Sequence, residues 1–150
     1  MRTRIFAAML SMQLLGGCES SMPDRFAAVP PQVQEVNGNV EQVYLAAQQA
    51  FKRLDFVLTH SALGRVEAAS AIHTSEAFGD SRQTIARLSI HEMGPGKCAV
   101  ELSLTEEATS NSVGGTRRQA LRGNGFYGNY FAMLQQVLQE QAADKPAEKN

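Results

Sequence analysis

The sequence is poor in cysteine, in net charge and in long apolar runs, and each shortage excludes a class of protein. Two cysteines exclude a disulfide framework and a four-cysteine zinc site. A net charge of −1 lacks the basic excess of a dedicated nucleic-acid binder. No run reaches the roughly 18 continuous apolar residues of a membrane-spanning helix. With 150 residues, 43% hydrophobic and 19% charged, the chain predicts one folded domain.

The N-terminal residues have the layout of a signal peptide. Arg2 and Arg4 precede a mostly apolar run at residues 5–15, and Leu15-Gly16-Gly17-Cys18 follows. As a helix the run spans about 16 Å, roughly half of a bilayer core. Its length and flanks therefore predict a cleaved signal over residues 1–17 rather than a membrane anchor.

The tetrapeptide Leu15-Gly16-Gly17-Cys18 is similar to the lipobox of bacterial lipoprotein precursors. The resemblance implies that a signal peptidase recognises Leu15, Gly16 and Gly17 and cuts before Cys18. The Cys18 thiol would carry a diacylglyceryl group, and its freed amine a further acyl chain. Several chains anchor a protein more firmly than the single chain that gives only marginal membrane binding. The alternative is an ordinary secretory signal that contains a cysteine.

Position 19 bears on the destination of such a lipoprotein. In enterobacterial lipoproteins, an aspartate directly after the lipidated cysteine favours retention in the inner membrane. This chain has Glu19 there. The resemblance therefore implies a lipid-anchored protein that faces the periplasm, with the outer membrane favoured over the inner. The covalent lipid on Cys18 is the only cofactor we expect, and no nucleic-acid partner is expected.

Composition divides the mature chain into three segments. Residues 18–35 form the lipidated cysteine and a polar, proline-containing tether, in which residues 32–36 alternate weakly as a short strand would. Residues 36–141 form the folded domain. Residues 142–150 are a charged tail that we expect to be disordered.

Helical periodicity appears at both ends of the domain. Asn39 is a candidate N-cap with Gln42 three residues later, and the apolar positions that follow predict a helix over residues 40–54. A second helix begins at Phe126. Its aromatic edge favours core packing over a cofactor site; it consists of Phe126, Tyr127, Tyr130 and Phe131.

Alternating apolar and polar side chains between the helices predict about four strands. They cover residues 55–61, 65–73, 83–93 and 97–106, and a turn at 94–96 makes the last two a hairpin. Residues 75–81 are expected to be loop. The order α-β-β-β-β-α predicts an α+β fold, a two-layer sandwich whose antiparallel sheet carries two helices on one face.

The same order resembles small uncharacterised bacterial lipoproteins that are classed as domains of unknown function. The resemblance covers residues 36–141 and rests on the end of the first helix, Phe51 to Phe56, and on Tyr127 to Phe131 in the second. The stretch before the second helix is longer here than in that family. The resemblance implies no activity, because none is established for the family.

Arg117, Arg118 and Arg122 are the best candidates for a ligand site. They lie in the polar stretch 107–122, just before the second helix, where free N–H groups and the helix dipole also favour anions. Lipid phosphates, lipopolysaccharide and cell-wall carboxylates are the anions such a loop would meet in the envelope. The alternative, which we favour, is a solvated loop without a ligand.

Other patterns of functional residues are weak. Residues 123–128 match GxGxxG, but a polar, basic stretch precedes them and no βαβ unit surrounds them, so we expect no dinucleotide site. His60, His73 and His91 lie on different predicted strands and show no metal-binding spacing. Cys98 falls in phase with apolar residues, which favours a buried side chain over a nucleophile.

The sequence thus predicts a non-enzymatic, membrane-anchored lipoprotein with no catalytic residues and no metal. We expect it to contact an envelope protein or the cell wall. The alternative function is the binding of an anionic envelope ligand by the arginine loop. An enzyme ranks third.

Overall fold

The computed structural model describes residues 29–75, 79–110 and 115–144. This part of the chain is a mixed α+β fold with two helices and one antiparallel sheet of seven strands. In chain order the elements are β1 (Gln32–Asn37), α1 (Val40–Arg53), β2 (Val57–Ala62), β3 (Arg65–Ala69), β4 (His73–Thr74), β5 (Ser81–Gly94), β6 (Lys97–Ser110), β7 (Gly115–Ala120) and α2 (Phe126–Ala143). Neither helix is long and apolar enough to cross a membrane.

A long hairpin of β5 and β6 forms the middle of the sheet. Each strand has 14 residues, and the strand order is β1-β6-β5-β3-β2. β1 pairs with the first half of β6 and β7 with its second half. In the same way β3 and β4 pair with different parts of β5. We call the part of the sheet made by β4, the start of β5, the end of β6 and β7 the distal end.

The prediction of an antiparallel α+β fold is confirmed, but the prediction of about four strands is wrong. The expected strand at 65–73 is divided between β3 and β4. β1 matches the short strand that the weak alternation at 32–36 indicated, although four of its residues fall in the segment assigned to the tether. The largest error is Gly115–Ala120, which is a strand rather than a loop. All six of its residues are exposed, so no apolar alternation marks it, and its ladder to β6 forms through backbone hydrogen bonds.

The first helix follows its sequence signals closely. Asn39 is its N-cap, and its Oδ1 accepts a hydrogen bond from the Gln42 N–H at 2.8 Å, while Gln42 Oε1 accepts from the Asn39 N–H at 3.3 Å. The last turn ends with Asp55 in the left-handed region at φ 60°. The Phe56 N–H then reaches back to the Phe51 carbonyl at 3.0 Å, which is a Schellman ending without glycine.

One hydrophobic core joins the sheet to both helices. Even-numbered positions of β5 and β6 point into it, and we call this side of the sheet the core face and the other side the outer face. Its largest fully buried side chains include Phe51, Leu102 and Tyr130. The Tyr130 hydroxyl donates to the Ala47 carbonyl of α1 at 3.3 Å, and burial raises the Tyr130 pKa well above its ordinary value. Of the aromatic edge of α2, only Phe126 is not buried, so core packing is confirmed for the other three rings.

Candidate functional site: a cleft at the distal end of the sheet

The structure separates the three arginines that the sequence grouped. Arg117 and Arg118 are neighbours on β7, so their side chains point to opposite faces of the sheet. Arg118 forms an ion pair with Glu107 on the outer face. Arg122 follows the strand, beside the segment that leads into β1. The lipobox residues Leu15, Gly16, Gly17 and Cys18, with Glu19, lie outside the described residues.

A cavity of about 370 Å³ lies between the distal end of the sheet and the start of α2. We call it the distal cleft. Its walls come from the end of α1, from β4, β5 and β6, and from the turn before α2. The lining residues are Phe56, Ser70, His73, Arg82, Gln83, Thr84, Glu106, Asn124 and Phe126. Pockets of this volume lie at the small end of the range for ligand sites.

Two phenylalanines form the floor of the distal cleft. The ring centroids of Phe56 and Phe126 are 4.6 Å apart with an interplanar angle of 36°. The Schellman ending of α1 places Phe56, which is 9% exposed, and the first residue of α2 is Phe126, which is half-buried. Asn124 Oδ1 accepts a hydrogen bond from the Phe126 N–H at 2.8 Å. Both rings are therefore held by helix termini rather than by free loops.

A row of basic side chains crosses the distal end of the sheet, and two of its members line the cleft. His73 pairs with Arg82, Arg82 pairs with Ala108, and Ala108 pairs with Arg117. Residues directly opposite each other on neighbouring strands project from the same face, which here is the core face. Arg117 continues the row past the residues that line the cavity. We call His73, Arg82 and Arg117 the basic row; the small Ala108 lies between its two arginines.

The two arginines of the basic row form no ion pair within the described residues, whereas several basic side chains on the outer face do. On the outer face, Arg87 Nε lies 2.9 Å from Glu67 Oε2, and His91 Nε2 lies 3.8 Å from Glu101 Oε2. Within the described ranges, Arg82 and Arg117 form neither an ion pair nor a side-chain hydrogen bond. Two carboxylates lie near the row: Glu106, one position closer to the core on β6, and Asp80, two residues before Arg82, whose Oδ1 accepts a hydrogen bond from the Ser110 hydroxyl at 2.7 Å.

The adjacent carboxylates Glu106 and Glu107 lie on opposite faces of β6, as their neighbouring positions on a strand require. Glu106 lines the distal cleft, and Glu107 pairs with Arg118 on the outer face. The three histidines occupy three different strands: β2, β4 and β5. In residues 29–75, 79–110 and 115–144, no group of three or more histidine, cysteine, aspartate or glutamate side chains is placed to hold a metal ion.

The GxGxxG stretch at residues 123–128 follows a strand, which corrects the expectation of an irregular polar stretch there. That strand is β7, and it pairs antiparallel with β6. A dinucleotide-binding unit needs parallel strands joined by the helix, and α2 is followed by no strand within the described residues. Gly123 and Gly125 instead form the turn into α2, with Gly123 in the left-handed region at φ 60°, and Gly128 lies within the helix.

Sequence reasoning missed the distal cleft because its walls are distant in the chain. A signal was nevertheless present. Arg82 and Thr84 continue the even-numbered positions that Ala86 and Leu88 use for the core, and Glu106 continues those of Leu102 and Leu104. Polar residues in phase with a core face indicate that the face extends beyond the core. The sequence does not reveal which strands and aromatic rings lie next to these polar residues, because that depends on pairing between distant segments of the chain.

Comparison with known proteins gives no family for the chain. No protein-family model matches it, and no curated protein matches it. The adenylate sensor from AMP-activated protein kinase, in complex with ZMP, has a TM-score of 0.42 and 16% identity over 71% of this chain and 94% of that chain. The same sensor complexed with ATP has a TM-score of 0.43 and 17% identity, and the match covers 69% of this chain and 92% of that chain. A DUF4468 family protein from Bacteroides ovatus has a TM-score of 0.33 and 15% identity, and the match covers 79% of this chain and 88% of that chain.

Proposed function

We propose that this protein is a lipid-anchored, non-enzymatic binding module of the bacterial cell envelope. The observation that carries the proposal is the tetrapeptide Leu15-Gly16-Gly17-Cys18 after a basic and then apolar leader. In this proposal Cys18 holds the lipid and the folded domain faces the periplasm. The proposal also includes a two-layer sandwich, in which the sheet is one layer and both helices form the other layer on its core face.

The chain between the anchor and the sheet sets how far the domain reaches from the membrane. Cys18 is separated from Gln32, the first residue of β1, by 13 residues. A fully extended segment of that length spans at most about 45 Å. The anchor therefore confines the domain to a shell next to the bilayer, where even a modest binding surface meets its partner at high effective concentration.

The distal cleft supports a binding role more than a catalytic one. Its serine, Ser70, is held by the backbone: the hydroxyl donates to the Ala71 carbonyl at 3.0 Å and accepts from the Thr84 N–H at 3.0 Å. A serine nucleophile instead needs a base within hydrogen-bond reach. The cleft offers an aromatic floor and an arginine, Arg82, that forms no ion pair within the described residues, and both suit recognition of an envelope protein or a cell-wall component.

The structure does not favour the alternative set of Arg117, Arg118 and Arg122 as one anion site. Glu107 already neutralises Arg118, and Arg117 lies on the opposite face. A single anion could contact all three arginines only if it lay on both faces of β7 at once. Within the described residues, Arg82 and Arg117 of the basic row form no ion pair.

Fractionation of cells tests the anchor. We expect the wild-type protein in the membrane fraction, released by detergent but not by high salt, and the Cys18→Ser variant in the soluble fraction. Cys98→Ala is the matched control, because it removes the other cysteine and should leave the protein on the membrane. Equal membrane association of Cys18→Ser and wild type would contradict the proposal.

The choice between the two membranes is tested by one further substitution. Density separation of the membranes should place the wild type in the outer membrane, and Glu19→Asp should move it towards the inner membrane. The substitution keeps the charge and removes one methylene, so a change of location reports on sorting rather than on folding. An unchanged distribution would contradict the role assigned to position 19.

Cross-linking in living cells tests the binding role. A photo-reactive side chain placed at Thr84, which lines the cleft outside the basic row, samples the cleft, and the same group at Arg87 samples the outer face of the same strand. We expect an envelope component to be captured at Thr84 and not at Arg87. Capture at neither position, with the protein folded and on the membrane, would contradict a binding function for the cleft.

A further inference from the structure

The distal cleft combines two features that call for different groups on a ligand: aromatic rings and basic side chains. Its floor is aromatic, formed by Phe56 and Phe126 with ring centroids 4.6 Å apart. His73 and Arg82 of the basic row line the cleft, Arg117 continues the row beyond the lining, and neither arginine forms an ion pair in the described ranges. A ligand that fills it must therefore present an apolar group and a negative charge a few ångströms apart.

We propose that the distal cleft binds the C-terminal residue of a peptide, with the apolar side chain on the phenylalanine floor and the free carboxylate on the basic row. A single terminal residue carries both groups on one Cα atom. Capture of a chain terminus by its carboxylate is a recurring mode of peptide recognition. The inference rests on the binding role proposed above but not on the lipid anchor.

The spacing of the arginines suits a carboxylate. Arg82 and Arg117 are each opposite Ala108, so their Cβ atoms are about 10 Å apart, two strand spacings. Since an alanine lies between them, nothing large prevents the two guanidinium groups from converging over it. Guanidinium and carboxylate form paired, charge-assisted hydrogen bonds, which are stronger and more directional than those of neutral groups.

The volume of the cleft limits how much of the peptide enters. About 370 Å³ at the end of the sheet holds a residue-sized group rather than a folded segment. The cavity is open to solvent, so the preceding peptide residues extend outwards. Glu106, one position closer to the core, can accept a hydrogen bond from a peptide N–H, and its charge disfavours ligands with several negative groups.

Binding of short peptides to the full-length protein in detergent tests the inference. The probes are Gly-Gly-Phe with a free carboxylate, the same peptide with a C-terminal amide, and Gly-Gly-Ala with a free carboxylate. We expect the amide to bind about tenfold or more weakly, since it removes charge-assisted hydrogen bonds. Gly-Gly-Ala should also bind about tenfold or more weakly, because it cannot cover the rings.

Substitutions on the protein provide the second half of the test. Arg82→Gln and Arg117→Gln should each weaken Gly-Gly-Phe binding about tenfold and reduce the difference between acid and amide. Arg65→Gln is the matched control, since Arg65 is an exposed arginine on β3 that pairs with Ser89 and so lies on the outer face. It should leave the affinity unchanged.

The results that overturn the inference are distinct from those that overturn the anchor. Equal affinity for the acid and the amide, or an Arg82→Gln variant with wild-type affinity, would contradict carboxylate recognition. So would undetectable binding of Gly-Gly-Phe at millimolar concentration. Each of these leaves the membrane association of Cys18 untouched, whereas a failure of lipidation leaves the peptide affinities as predicted.

Discussion

The hydroxyl of Tyr127 in α2 accepts a hydrogen bond from the Leu104 N–H of β6 at 3.1 Å. The same hydroxyl donates to the Leu121 carbonyl at 3.0 Å, and the Leu121 N–H donates to the Leu104 carbonyl at 2.9 Å. Tyr127 is 3% exposed. The Tyr127 hydroxyl thus supplies the acceptor that a neighbouring strand would otherwise offer to the Leu104 N–H, at the point where β7 ends. This hydrogen bond links the sheet to α2.

We predict that Tyr127→Phe destabilises the domain by about 1–3 kcal/mol. The phenyl ring preserves the packing, but the buried Leu104 N–H loses its acceptor, and an unpaired buried donor costs about that much. Denaturant unfolding should show a lower midpoint with an unchanged slope. Tyr44→Phe is the control, because the Tyr44 hydroxyl has no partner among the described residues, and it should change stability by less than about 0.5 kcal/mol.

Tyr130→Phe should cost less than Tyr127→Phe although Tyr130 is fully buried. The Tyr130 hydroxyl donates to the Ala47 carbonyl, which lies within α1 and has a helical partner as well. Removing the hydroxyl therefore leaves no unpaired group behind, and about 0.5–1.5 kcal/mol is the expected loss. A Tyr130→Phe variant less stable than Tyr127→Phe would contradict this interpretation.

The ion pair between the ends of the helices predicts a pH dependence of stability. Arg53 Nη2 lies 2.6 Å from Glu140 Oε2, and Arg53 Nη1 lies 3.0 Å from Glu140 Oε1. The hydrogen bond from Arg53, with a second from Gln136, holds the pKa of Glu140 below its ordinary value of 4.5. A lowered carboxylate pKa stabilises the folded state above the unfolded-state pKa, and this stabilisation is lost as pH falls through the folded-state value.

The stability difference between wild type and Arg53→Gln should therefore be constant near neutral pH and shrink below about pH 4.5. The effect is small, since the side chains are 33% and 42% exposed and solvent screens the pair. Unfolding midpoints measured against pH for both proteins give the difference. A difference that persists unchanged in acid would show that Arg53 acts through packing rather than through Glu140.

Cys98 should be unreactive in the folded protein. Its side chain is fully buried, its Sγ donates to the Gly38 carbonyl at 3.3 Å, and burial, with the charge of Glu92, raises its pKa. In the Cys18→Ser background, a thiol reagent should label Cys98 about a thousandfold or more slowly than in denaturant, because labelling requires opening. Equal rates in buffer and in denaturant would contradict the buried position.

Local signals explain what the sequence predicts well. The cap at Asn39 and the apolar positions of α1 act within a few residues, so the helix was expected at 40–54 and is observed at Val40–Arg53. The turn at 94–96 likewise joins β5 to β6 as expected. Both features depend on residues that are neighbours in the chain.

Features that depend on pairing between distant segments were not predictable in the same way. β7 has no apolar alternation, and its position follows from the far end of β6 that it extends. The distal cleft then needs that extension, the rings of Phe56 and Phe126, and the register that brings Arg82 and Arg117 into one row. Because a shift of one residue would send those side chains to the other face, no local pattern specifies the cleft.

The intact mass of the protein from the membrane fraction tests the central claim most directly. The account predicts a wild-type species that begins at Cys18 and carries the added mass of a diacylglyceryl group and an acyl chain. The Cys18→Ser protein should lack that added mass. A wild-type protein without added lipid, or one cut elsewhere than before Cys18, would contradict the account.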